Sequence, residues 1–159
     1  MLKQLDVPHP FSLDALCARL SAQRGRPLHL HALPPQAASA GACGLWLATH
    51  TDDHIFFERR TARAHQEHIV LHEIAHMLFD HHSVADGELG TVSALLSDLS
   101  PRLVNRLLAR TDYTTWQEQE AEMLASLIRT SERQPAAAQP SGALQELEAA
   151  LGVEAWHVR

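Results

Sequence analysis

The chain has 159 residues, of which 45% are hydrophobic and 20% charged, and its formal net charge is −6. That is the size and make-up of one globular domain with a single core, too apolar for a disordered chain. The acidic balance, with no long basic block, argues against direct nucleic-acid binding, and no apolar run approaches the roughly 20 residues of a membrane-spanning helix.

Met1 to Asp6 carries an acid and is followed by Pro8 and Pro10, where a secretory leader needs its apolar stretch. The expected compartment is therefore the cytoplasm, with Cys17 and Cys43 as free thiols. A helix is predicted from Ser12 to Gln23, with Ser12 as cap, Leu13, Leu16, Cys17 and Leu20 as apolar stripe and Gly25 as stop. Leu28 to Leu33 alternates as a strand and is stopped by Pro34-Pro35, with a loop over 34–43. Leu45 to Thr49 and His54 to Glu58 read as two more strands around a turn at Thr51-Asp52-Asp53. His29, His31, His50 and His54 are expected at surface or edge positions of this sheet. A long helix follows, from about Ala62 to His82.

That helix contains His72-Glu73-Ile74-Ala75-His76, an H-E-x-x-H. Residues four apart share a helix face, so His72 and His76 can present two imidazoles to one ion. Such a pair suits zinc, and Glu73, one step round, is placed to take a proton from a metal-bound water. Ile69, Val70, Leu71, Ile74, Met77, Leu78 and Phe79 surround the motif and predict a helix buried nearly all round. Two histidines and a glutamate are costly in such a helix unless something satisfies them. His81 and His82 are expected to crown the helix C-terminus, with a second metal on that pair as the lesser reading.

Residues 83–99 carry turn signals at Asp86-Gly87 and Gly90, and Ser100-Pro101 starts a further helix. A catalytic zinc needs a third protein ligand. The candidates lie in Glu118-Gln119-Glu120-Ala121-Glu122, where Glu118, Ala121, Glu122 and Ala125 share one face whose small alanines allow close packing. Leu124, Leu127 and Ile128 form the core stripe beside it. Spacing alone leaves two readings of Glu118 open: a ligand, or the partner of Thr115 in a capping box. Glu120 and Glu122 read equally as an acidic first turn. Ser131 to Gly142 is Pro, Ala, Gln and Ser rich, so residues 1–130 are expected to form the domain. Residues 131–159 then form a linker and a short helix, Ala143 to Leu151, docked through Trp156.

Taken with its apolar lead-in His65 to Leu71, the strand His54 to Glu58 and the acidic element Glu118 to Glu122, the H-E-x-x-H resembles the ImmA/IrrE metallopeptidases, small zincins with a glutamate third ligand. The resemblance spans residues 40 to 130. It implies an α+β zincin-like fold, with about three strands packed on the motif helix and further helices C-terminal to it. It also implies Zn²⁺ held by His72, His76 and Glu118, Glu73 as general base, and Glu122 supporting a ligand from behind. Glu122 stands where the family usually has Asn or Asp, and Leu124-Ala125 and Arg129-Thr130 replace its frequent F-A and M-P. Tyr113 and His68 are the candidates for stabilising an oxyanion, and His54 to Glu58 is the candidate to pair with a substrate strand. Such peptidases are regulatory and many cleave a helix-turn-helix repressor, which implies a protein partner that supplies the DNA contact. The rival readings are a non-catalytic zinc module that sequesters a repressor, and a metal-free structural protein.

Overall fold

The computed structural model describes residues 5–81 and 113–133. In chain order these form α1 (Leu13–Arg24), β1 (Leu28–Ala32), α2 (Pro35–Ser39), β2 (Gly44–Ala48), β3 (Asp53–Phe57), α3 (Arg63–Leu78) and α4 (Thr115–Arg133). The α+β expectation holds: a three-stranded mixed sheet carries helices on one face.

Helix α1 begins where Ser12 Oγ accepts the Ala15 amide and ends at Gly25, whose φ of 63° is the left-handed geometry that glycine adopts without strain. The 34–43 stretch is not all loop. Pro34-Pro35 ends β1, yet Pro35 also opens the short α2, because its fixed φ suits a first helical position.

The strand order is β1-β3-β2, with β1 parallel and β2 antiparallel to β3. The register places Leu28, Leu30, Asp53, Ile55, Phe57, Gly44 and Trp46 on the face that meets the helices. There Trp46 and Ile55 join Leu16, Leu20, Val70, Leu71, Ile74, Ala121 and Ile128 in one core. Asp53 is 1% exposed within it and fully engaged. Its Oδ1 accepts from Trp46 Nε1 at 3.2 Å, and its Oδ2 accepts from Arg24 Nε at 3.2 Å and Arg26 Nε at 3.3 Å. These bonds tie the end of α1 to the start of two strands.

The far face carries His29, His31, His54, Phe56, Leu45 and Leu47. His54 is buried here, contrary to the surface position expected of it, because it stands on the central strand between His29 and Leu47. Burial, then the neighbouring His29, holds both His31 and His54 below the ordinary imidazole range. The same strand order corrects the choice of His54 to Glu58 as the substrate-pairing strand. With β1 on one side and β2 on the other, β3 has no free edge.

Helix α3 is buried nearly all round, as its apolar pattern predicts, and ends earlier than His82. Phe79 caps it, and Asp80 takes a left-handed φ of 54°. The His81 amide then donates to His76 O at 3.0 Å and the Asp80 amide to Met77 O at 3.3 Å. This is a Schellman turn with aspartate in the usual glycine position, and it folds His81 back under the helix. No described helix is long and apolar enough to cross a membrane. The readings at His82, 83–112 and 134–159 lie outside the described residues. Helix α4 continues through Arg133, past Ser131 where a linker was expected. Thr130 and Ser131 are helical, their hydroxyls donating to Ser126 O and Ile128 O one turn back rather than leaving the helix.

Candidate metal centre

The site is built by α4 lying against α3. Ala121 and Ala125 are fully buried with Leu124 and Ile128, so the two backbones approach closely, while Leu127 lies outside this stripe at 43% exposed. At one end of the pair Arg129 donates to Ala64 O at 3.1 Å, and at the other Glu118 meets His72, so the helices run antiparallel.

How α4 starts decides what Glu118 is free to do. The Gln117 amide donates to Thr114 Oγ1 at 3.3 Å, and the Thr114 amide donates to Gln117 Oε1 at 2.9 Å. The reciprocal capping box is therefore Thr114 with Gln117, one residue earlier than Thr115 with Glu118. Gln117 satisfies the cap, and the Glu118 carboxylate turns to the histidines.

Three donor groups converge. His72 Nε2 lies 3.0 Å from His76 Nε2 and 3.2 Å from Glu118 Oε2, and His76 Nε2 lies 3.5 Å from Glu118 Oε1. Four donors held tetrahedrally about 2.0–2.1 Å from an ion stand about 3.3 Å apart, a spacing these contacts approach, with Glu118 meeting each histidine through a different oxygen. His72, His76 and Glu118 could hold a metal ion as they stand. Burial, then the neighbouring His72 and His81, pushes His76 down to about 3, so its ring is neutral and offers a lone pair without first losing a proton.

Each imidazole is held from behind. His76 Nδ1 is 2.9 Å from His81 Nδ1, and His81 Nε2 is 3.2 Å from Glu120 Oε2. One proton arrangement satisfies the chain: His76 donates to His81, and His81 donates to Glu120, which leaves His76 Nε2 bare for the ion. His72 Nδ1 lies 3.5 Å from Glu122 Oε2, an oxygen that also meets His68 Nε2 at 3.0 Å. Burial opposes ionisation of Glu122, but the hydrogen bond and charge of His68, with His72 and Ser126, hold its carboxyl below the usual range. The Glu122 carboxylate, expected to support a ligand from behind, thus stands behind His72. His81 does more than crown a helix end, and Glu120 is no solvated first-turn acid. The sequence hid this chain because it depends on a left-handed turn at a residue other than glycine.

Glu73 sits beside the donors, 6% exposed, with Oε2 lacking a hydrogen bond among the described residues. Burial, then the charge of Glu118, raises its carboxyl to about 8, against a smaller opposing contribution from the Trp46 backbone amide. Gly44 makes room for it: a Cβ at that position would lie 2.5 Å from Glu73 Oε1 and 2.8 Å from Ile69 Cγ2. The Tyr113 ring stacks on His76 with centroids 3.7 Å apart, and its hydroxyl is buried without a partner among the described residues. Burial, then the charges of Glu73 and Glu118, raises the Tyr113 phenol, so it stays a donor. A cleft of about 670 Å³ opens over these groups, lined along one side by Ala40 to Leu45 and on the other by His68, His72 and Glu118.

Compared with protein-family models, with curated proteins and with solved structures, the chain matches none. What the site does is therefore argued from its own geometry.

Proposed function

We propose that the chain is a zinc metallopeptidase of the ImmA/IrrE kind, acting in the cytoplasm on a peptide bond of a partner protein, in the family's manner a helix-turn-helix repressor. One observation carries this reading. Beside two imidazoles and a carboxylate at near-tetrahedral spacing stand a buried carboxylate oxygen and a buried hydroxyl, both without partners among the described residues, at the floor of an open cleft. A structural metal site is closed by four protein ligands, whereas a hydrolytic one keeps a position open.

His72, His76 and Glu118 would hold the ion, which when bound supplies Lewis acidity to a water and to the scissile carbonyl. Glu73 accepts the proton of the attacking water and delivers it to the leaving nitrogen. A cation next to it returns its carboxyl to the ionised form that this role requires. Tyr113 donates its free hydroxyl to the oxygen on which charge develops, a better-placed donor than His68, which is engaged by Glu122. The substrate strand pairs with β2, whose outer edge is unpaired among the described residues and whose first residues line the cleft. Cys17 and Cys43 are free thiols, in keeping with a reducing compartment.

The test begins with metal content of the purified chain beside a Glu118→Ala variant. About one zinc per chain, much weakened in the variant, is expected. Labelling of new protein N-termini in a lysate treated with the wild type then seeks the substrate. Cleavage that disappears with Glu73→Gln, while zinc stays bound, supports the enzyme. Zinc binding with no cleavage difference between wild type and Glu73→Gln leaves the sequestering module instead.

A further inference from the structure

We propose that the chain binds a second divalent transition-metal ion on the far face of the sheet, through His29, His54 and Asp52. The site draws on no residue of the first centre and does not depend on the peptidase reading.

Three segments meet there. The parallel register of β1 and β3 sets His29 directly beside His54, with their rings stacked at 4.9 Å. The turn between β2 and β3 is fixed by its own bonds: the Asp52 amide donates to Thr49 Oγ1 at 2.9 Å, and the Thr49 amide donates to Asp52 O at 2.8 Å. That turn delivers Asp52 Oδ1 to within 3.3 Å of His29 Nε2. One donor atom from each of the three residues lies within 4.8 Å of the other two.

A fourth residue organises the donors. His31 Nε2 lies 3.0 Å from His54 Nδ1, so this nitrogen of His54 is taken and its Nε2 carries no hydrogen bond among the described residues. A metal-binding imidazole held by its other nitrogen has this arrangement. Phe56 stacks on His31 at 4.9 Å and supports the cluster from the next register position. Plain packing accounts poorly for three stacked imidazoles of which only His29 meets a carboxylate. Among the described residues, a cation at His54 Nε2 supplies the missing partner.

The donor set selects the ion. Two imidazoles and one carboxylate suit zinc, cobalt or nickel and not the all-oxygen preference of calcium or magnesium. The first centre is anchored on the fully buried His76, whereas His29 and Asp52 here are exposed or partly buried. The His29 side chain is 46% exposed and free to turn inward on binding. The second ion is therefore held more weakly than the first, and it joins β1, β3 and the β2–β3 turn.

Equilibrium dialysis of the whole chain against graded free Zn²⁺, repeated with Co²⁺, tests this. The wild type should take up a first equivalent and then a weaker second one. His29→Gln with Asp52→Asn should abolish the second and leave the first. Glu118→Ala should impair the first and leave the second, which then raises the melting temperature in proportion to bound ion. His29 and Asp52 both sit at partly exposed positions, and His29→Gln alone serves if the double variant loses its circular-dichroism signal. A wild type that saturates at one equivalent overturns the site, as does a second equivalent that survives His29→Gln.

Discussion

Two carboxylates, Asp53 and Glu73, are buried on the same side of the sheet within one core and are treated in opposite ways. Asp53 is surrounded by donors: an indole nitrogen and two guanidinium groups cover both its oxygens. Glu73 keeps one oxygen with no partner among the described residues, in space that only a glycine at position 44 leaves open. A fold that satisfies one buried acid so fully can satisfy another, so the deprivation of Glu73 marks a group reserved for something that arrives from outside. Asp53 holds the fold together, and Glu73 is held by it.

The largest expected effect separates the two in activity. Glu73→Gln keeps the shape and removes the proposed base, and should lower the proposed cleavage by about 10²–10⁴-fold while zinc still binds. The same variant sharpens the contrast in stability. In metal-stripped wild type the folded carboxyl titrates near 8 and the unfolded one near 4.5. Between those values the folded state holds a proton that the unfolded state has lost. Stability is therefore full below about pH 4.5 and falls as pH rises to about 8. Denaturant melts of stripped Glu73→Gln should lack this decline, and adding zinc should flatten it in the wild type. An unchanged slope in the variant would assign the titration to another group.

Asp53→Ala should do the reverse. It leaves Arg24, Arg26 and Trp46 facing an empty core position and should cost about 3–5 kcal/mol of unfolding free energy, with cleavage per folded molecule unaltered. A loss below about 1 kcal/mol would make Asp53 a dispensable ion pair. Gly44→Ala lies between them, because its Cβ must displace Glu73 or Ile69. The expected cost is about 1–3 kcal/mol of stability together with loss of cleavage. If stability falls and cleavage does not, Glu73 tolerates displacement and is not the base.

Much of this contrast could be read in the chain. The H-E-x-x-H and its apolar setting announced a buried helix with two imidazoles on one face, and the alanines at 121 and 125 announced the close partner that brings Glu118 over. The strand pattern placed three strands within a residue or so of their positions, because alternation and proline stops are local signals. What escaped depends on pairing and on turns. Nothing local says that β3 is central, so its histidine looked exposed and its edge looked free. Two adjacent threonines at 114 and 115 offer two capping registers, and only the packing of α4 against α3 selects the one that releases Glu118. Asp80 stood where a glycine would have signalled a turn, so the return of His81 beneath α3 went unseen.

That return gives the smallest of the expected effects and a third degree of satisfaction between Asp53 and Glu73. Glu120 is partly exposed and meets His81, whose own ring backs His76 of the candidate metal centre. Glu120→Gln keeps an acceptor but removes the charge. It should weaken zinc by about tenfold, or roughly 1.4 kcal/mol, in competition with a fluorescent chelator. Stability of the stripped protein should move little, since Glu120 is partly exposed and the glutamine keeps an acceptor for His81. His81→Ala removes the link itself and should weaken zinc further. If the two substitutions lower zinc affinity together and their effects do not add, the charge of Glu120 reaches the ligand through His81. If Glu120→Gln lowers melting temperature and spares zinc affinity, Glu120 belongs with Asp53 as a support of the fold, and the proton chain behind His76 ends at His81.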